Sequence, residues 1–236
     1  MSNELLVLLF TAASIGFVHT IAGPDHYLPF IAISKAREWS NLRTLLILIP
    51  CGIGHILSSV VIGLVGVAAG IAIYSIESIE SVRGDIAAWL LIGFGLAYTI
   101  WGIKKSIKNK PHTHFHIHPD GNTHLHQHTH EGEHTHVHTS EGKKITPWVL
   151  FIVFIFGPCE PLIPLVKFPA AKGNYFEVII VSVVFGTITI AAMIGMTFLG
   201  LYGISFLPLK KLEKNMHVLA GLTILLCGIG VKFLGL

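Results

Sequence analysis

Six apolar stretches alternate with polar ones along the chain: Leu5–Ala22, Leu45–Ile73, Ile86–Ile103, Trp148–Val166, Val178–Leu209 and Val218–Leu236. A helix needs about 20 apolar residues to cross the hydrocarbon core of a bilayer. The pattern therefore predicts an all-α membrane protein with six transmembrane helices. The second and fifth stretches exceed one crossing and are expected to tilt or to extend past the membrane. The long polar stretch after the third helix divides the chain into residues 1–105, a first three-helix repeat, residues 106–145, a histidine-rich disordered loop, and residues 146–236, a second three-helix repeat.

Two interruptions stand out because they come in the same place in each half. Gly23-Pro24-Asp25-His26 breaks the apolar run of the first helix, and Gly157-Pro158-Cys159-Glu160 breaks that of the fourth. Proline has no N–H to continue a helix, and each break is followed at once by side chains able to ionise or to hold a metal. Such residues are expensive in hydrocarbon and mark functional sites there. Paired broken helices in corresponding halves point to the binding site of a transporter. A second match follows in the same order: Gly93 and Gly102 precede Ile103-Lys104, and Gly221 and Gly230 precede Val231-Lys232. Glycine-rich membrane helices can resemble each other by composition, but two matches in sequence favour duplication. The first helix enters from one side and the fourth from the other, so the two repeats are inverted.

Composition agrees and excludes a soluble globular domain: 52% of residues are apolar and 12% charged. Of the sixteen Lys and Arg residues, all but Arg83, Lys167, Lys172 and Lys232 fall in the first, third and fifth connections. Positive charge stays inside, which places those connections in the cytoplasm and both termini outside, in the plasma (inner) membrane. Glu77, Glu80 and Asp85, with Arg83, read as an acidic outer loop. Met1–Leu6 has no basic residue, so Leu5–Ala22 reads as a retained first helix and not as a signal peptide. Cys51, Cys159 and Cys227 all lie in apolar runs, where no disulfide framework is expected. The expected partners are the bilayer and a metal ion; nucleic acid is not among them, and self-association to a homo-oligomer stays open.

Inside the membrane the candidate metal ligands are His19, Asp25, His26, His55, Cys159 and Glu160. Imidazoles with a carboxylate and a thiolate suit Ni²⁺, Co²⁺ or Zn²⁺ rather than Mg²⁺ or Na⁺. These groups also gain and lose protons, so metal passage could be coupled to them. Plainer readings exist for single residues. Asp25 and Glu160 fit the first turn of a helix, where the dipole favours an acid. His55 could serve only as an interhelical hydrogen-bonding group, and Cys159 only as a small packing residue.

The polar connection carries eleven histidines, many at alternate positions: His112, His114, His116 and His118, then His124, His126, His128 and His130, then His134, His136 and His138. It is too polar to form a core of its own. Alternate spacing puts imidazoles on one side of any extended segment, so divalent metals can be held in several registers. A loop of this kind suits buffering or collecting ions more than selecting among them. Collection on the cytoplasmic side favours export.

His19-Thr-Ile-Ala-Gly-Pro-Asp25-His26 resembles the His…Asp-His signature of nickel/cobalt permeases. With the histidine-rich loop before the fourth helix, the layout is more similar to the nickel/cobalt-efflux and urease-accessory-type (NicO-like) transporter family. The resemblance implies transport of Ni²⁺ or Co²⁺ as cargo, no resident cofactor and no enzymatic activity, with His19, Asp25, His26 and His55 as ligands. The alternatives are import, or delivery of metal to a metalloenzyme by an accessory membrane protein. Gly157-Pro158-Cys159-Glu160-Pro161 also resembles the proline-flanked cysteine motif of transmembrane thiol–disulfide reductases. Those need a cysteine in both halves to pass electrons through a dithiol, and Asp25 stands where the first would be.

Overall fold

The computed structural model describes residues 3–69, 73–108, 112–117, 123–128, 141–206 and 215–235. Its helices are α1 (Asn3–Ala22), α2 (Leu28–Ala36), α3 (Asn41–Ala68), α4 (Ile73–Lys108), α5 (Glu141–Phe156), α6 (Leu162–Ala171), α7 (Tyr175–Ser205) and α8 (Met216–Leu234). A 3₁₀ turn over Pro24–His26 separates α1 from α2. Among the described residues five helices are long and apolar enough to cross a membrane, and their number fits a multi-pass membrane protein. The fourth expected span, Trp148–Val166, is divided between two shorter apolar helices, Thr146–Phe156 and Leu162–Ala171.

Both breaks follow from proline. Gly23 N–H completes the last turn of α1 on the His19 carbonyl at 2.9 Å. Pro24 has no N–H for the next carbonyl, that of Thr20, and its fixed φ starts the 3₁₀ turn instead. The turn closes with His26 N–H on the Gly23 carbonyl at 3.1 Å and Tyr27 N–H on Pro24 at 3.3 Å. Pro29 then occupies the first turn of α2, where a missing donor does no harm. In the second half Gly157 N–H reaches Val153 at 2.9 Å, Pro158 ends α5, and Leu162 N–H on Cys159 at 3.0 Å opens the way into α6.

Helix α1 packs on α7, and α3 packs on α5 and α6, so each broken segment lies against a long continuous helix of the other half. Helices α4 and α8 pack closely along their length. A Cβ on Gly102 would stand 2.8 Å from Val218 N, and one on Gly228 2.8 Å from Ile92 N, both backbone atoms that cannot yield. Small residues at a membrane crossing permit this approach. Gly93, from which duplication was read, meets nothing within 4 Å. One apolar cluster (Phe30, Leu48, Leu150, Phe154, Met193, Ile224) ties α2, α3, α5, α7 and α8 together. A second (Ala12, Ile56, Leu162, Val166, Phe185) ties α1, α3, α6 and α7.

Two expectations change. Glu80 and Arg83 are not in an outer loop: α4 begins at Ile73, Glu80 is fully buried at 0% exposure and Arg83 is buried beside it. Their charges are offset by each other and by partners on α3 and at the second break, which hydropathy along the chain does not register. The histidine-rich connection, expected to lack structure, contains an antiparallel hairpin of β1 (His112–Ile117) and β2 (Thr123–His128). Its register pairs His112 with His128, His114 with His126 and His116 with His124. Alternation at period two is a strand pattern, and Pro119-Asp120-Gly121 between the runs is a turn signal. His118, His130, His134, His136 and His138 lie outside the described residues.

Candidate metal centre

Three of the six predicted membrane ligands meet. His19 is in the last turn of α1, His26 closes the 3₁₀ turn after it, and His55 sits midway along α3. The break is what allows this, since it folds His26 back beside His19 instead of carrying it up the helix. The His19 and His26 rings stand 4.8 Å apart between centroids, the His26 and His55 rings 5.1 Å apart, each pair nearly perpendicular. One ligand atom from each of the three lies within 4.8 Å of the others.

The second ring nitrogens fix how the rings present themselves. His26 Nδ1 is 3.1 Å from the Gly23 carbonyl oxygen and 3.1 Å from Asp25 Oδ1. His55 Nδ1 is 3.3 Å from the Phe154 carbonyl oxygen. These oxygens only accept, so Nδ1 carries the proton and donates, leaving the Nε2 lone pair free. The Nε2 atoms of His19, His26 and His55 are all buried with no hydrogen-bond partner. An unsatisfied buried polar atom costs roughly 1–3 kcal/mol, and three of them on rings packed this closely call for an occupant. Histidines holding a metal almost always donate their other N–H to a carboxylate or backbone carbonyl, as His26 and His55 do here. Ligands at about 2.1 Å in a tetrahedral shell lie about 3.4 Å apart, inside the 4.8 Å that bounds the present separations, so one ion would draw the three rings together.

Asp25 and the second-half residues take different places. Asp25 stands behind His26, bonded to its ring, and the three-residue cluster does not include it. Glu160 lines a cavity of about 490 Å³ that also borders His19, Asp25 and His26. Asp85 lines the same cavity and pairs with Lys232 at 2.6 Å, so the carboxylates outnumber the amine and the space favours cations. Cys159 is fully buried, its N–H donating to Glu80 Oε2 at 3.3 Å. Cys51, Cys159 and Cys227 are all free thiols. At the other end of α4 and α8, His217 Nδ1 lies 3.0 Å from the Tyr98 hydroxyl and its Nε2 2.9 Å from Lys105 Nζ.

Glu80 and Arg83 went unrecognised in the sequence. Arg83 contacts Glu80 directly and donates to Ser58 Oγ (2.8 Å), Ser59 Oγ (3.3 Å), the Ile155 carbonyl (2.8 Å) and the Gly157 carbonyl (3.1 Å). Ser59 Oγ donates to Glu80 Oε2 at 3.2 Å. An acid and an arginine three apart share a helix face. Together with Ser58-Ser59 in the middle of an apolar span, that spacing was the available signal.

No family model, curated protein or solved structure matches the chain. Fold and site together define a multi-pass helical membrane protein with a cluster of three histidines, two buried and one half-buried.

Proposed function

We propose that this protein carries a divalent transition-metal ion, Ni²⁺ or Co²⁺, across the membrane and out of the cytoplasm. It works by alternating access between two inverted three-helix halves. The observation that carries this reading is the cluster of His19, His26 and His55, one ligand atom of each within 4.8 Å of the others, with the Nε2 of every ring buried and unpartnered. Neutral imidazoles favour borderline first-row cations over Mg²⁺ and Na⁺, and the Gly23 carbonyl, with Asp25 beside it, keeps His26 in the tautomer that can bind. The cavity beside them supplies a route to the site, and its carboxylates would concentrate cations along it. Cross-strand histidine pairs in the connection between the halves support collection of metal before transport, which favours export. Ligands that bind metal only when deprotonated make a proton countercurrent the natural coupling.

The test is metal flux in proteoliposomes of known protein orientation, with Ni²⁺, Co²⁺ and Zn²⁺ separately and with or without a pH gradient. Saturable Ni²⁺ or Co²⁺ flux from the cytoplasmic face, lost in His26→Ala, is expected. Absence of flux for all three ions in the wild-type protein would sink the reading.

A further inference from the structure

The buried Glu80–Arg83 pair has a definite place relative to the metal centre. In an unbroken helix the Ile155 carbonyl would accept from Cys159 N–H, four residues on. At the second break that bond is replaced from outside: Arg83 donates to the Ile155 carbonyl and Glu80 accepts from Cys159 N–H. The ion pair is thus inserted into the helix in place of one backbone hydrogen bond, and Arg83 also takes the Gly157 carbonyl. Immediately before Ile155 is Phe154, whose carbonyl loses a donor to Pro158 and accepts His55 Nδ1. The same guanidinium reaches His55 from the other side: it donates to Ser58 Oγ, and Ser58 Oγ donates to the His55 carbonyl at 2.8 Å. The first break needs no such device, because the Tyr27 hydroxyl takes the Ile21 carbonyl there at 3.3 Å.

We propose that Glu80 and Arg83 are the positioning residues of the metal site, holding the end of α5 and the adjacent turn of α3 so that His55 presents Nε2 to the ion. The inference rests on the metal-transport reading and names what sets the geometry of that site. Stability alone is a poor reason for the pair, since well-packed apolar residues commonly replace a buried ion pair without loss. Its five partners beyond the pair itself are Ser58, Ser59, the carbonyls of Ile155 and Gly157, and the N–H of Cys159, and all belong to the elements that flank His55.

The test uses the full-length protein in detergent with Co²⁺ alone as the probe. Co²⁺ held by few ligands absorbs far more strongly than the hydrated ion, and the part of the band lost in His55→Ala reports the triad. Arg83→Lys keeps the charge but loses the fork that serves several acceptors at once. It is expected to shift that band and weaken Co²⁺ binding by about 10-fold or more, with helicity and elution volume as in the wild type. The double variant Glu80→Gln/Arg83→Gln buries no charge and is expected to do the same. A band and affinity unchanged in Arg83→Lys would overturn the inference while leaving the metal reading intact. A double variant that does not fold, with Arg83→Lys unaltered, would assign the pair to stability and overturn it equally. A wild-type protein with no His55-dependent band would overturn both.

Discussion

Replacing Asp25 by Asn removes a charge from behind His26 while keeping its shape. Asp25 Oδ1 and the Gly23 carbonyl both accept from His26 Nδ1 at 3.1 Å. The carbonyl remains in the variant, so the proton stays on Nδ1 and Nε2 stays free. What is lost is the charge-assisted part of one hydrogen bond. Bonds to charged groups contribute about 1.5–3 kcal/mol and neutral ones about 1, leaving a difference of about 0.5–2 kcal/mol. At about 1.4 kcal/mol per tenfold, Asp25→Asn should weaken Co²⁺ binding at the triad by about 2- to 30-fold. His26→Ala, which deletes a ligand, should exceed the roughly 100-fold limit seen for groups that only support one. Titration of the His55-dependent Co²⁺ band in both variants measures the two effects side by side. Equal losses would refute this reasoning, because they would make the Asp25 carboxylate a ligand in its own right.

Deleting residues 112–138 should change the apparent metal affinity of transport and spare the maximal flux, which proteoliposome uptake at graded Ni²⁺ would show. Maximal flux that vanished with the loop would move the transport site there. Gly228→Val should open the α4–α8 crossing, since its Cβ would meet Ile92 N at 2.8 Å. Overpacking of this kind typically costs about 1–3 kcal/mol, visible as a lower melting temperature in detergent; an unchanged melt would mean the crossing is looser than described.

The two breaks were readable from the chain because their cause is local: a proline without an N–H needs no tertiary context to stop a helix. His19, His26 and His55 were readable for a related reason, as isolated polar groups in apolar runs. Asp25 was named but its role was not, since whether a carboxylate binds an ion or the ring beside it depends on the fold of a single turn. Cys159 sits next to a cavity-lining residue, yet the turn after Pro158 buries it. Glu80 and Arg83 were misread because charge near the end of an apolar run ordinarily means a loop. Their partners lie up to 79 residues away along the chain, beyond any window of local hydropathy. The hairpin's alternation was seen, but the register that pairs His112 with His128 is set by contact between the two runs, which alternation within either one does not give.

Phe154 joins two parts of the molecule that might have been separate. Its ring lies 4.8 Å from that of Phe30, inside the apolar cluster formed by α2, α3, α5, α7 and α8. Its carbonyl is the one that holds His55. On the proposed function, a displacement of the last turn of α5 would therefore disturb the apolar packing and the hold on the ion in one movement. An ion path that opened through this cluster would not have to wait for a tightly held ion to leave by chance: loosening the packing would itself loosen the site.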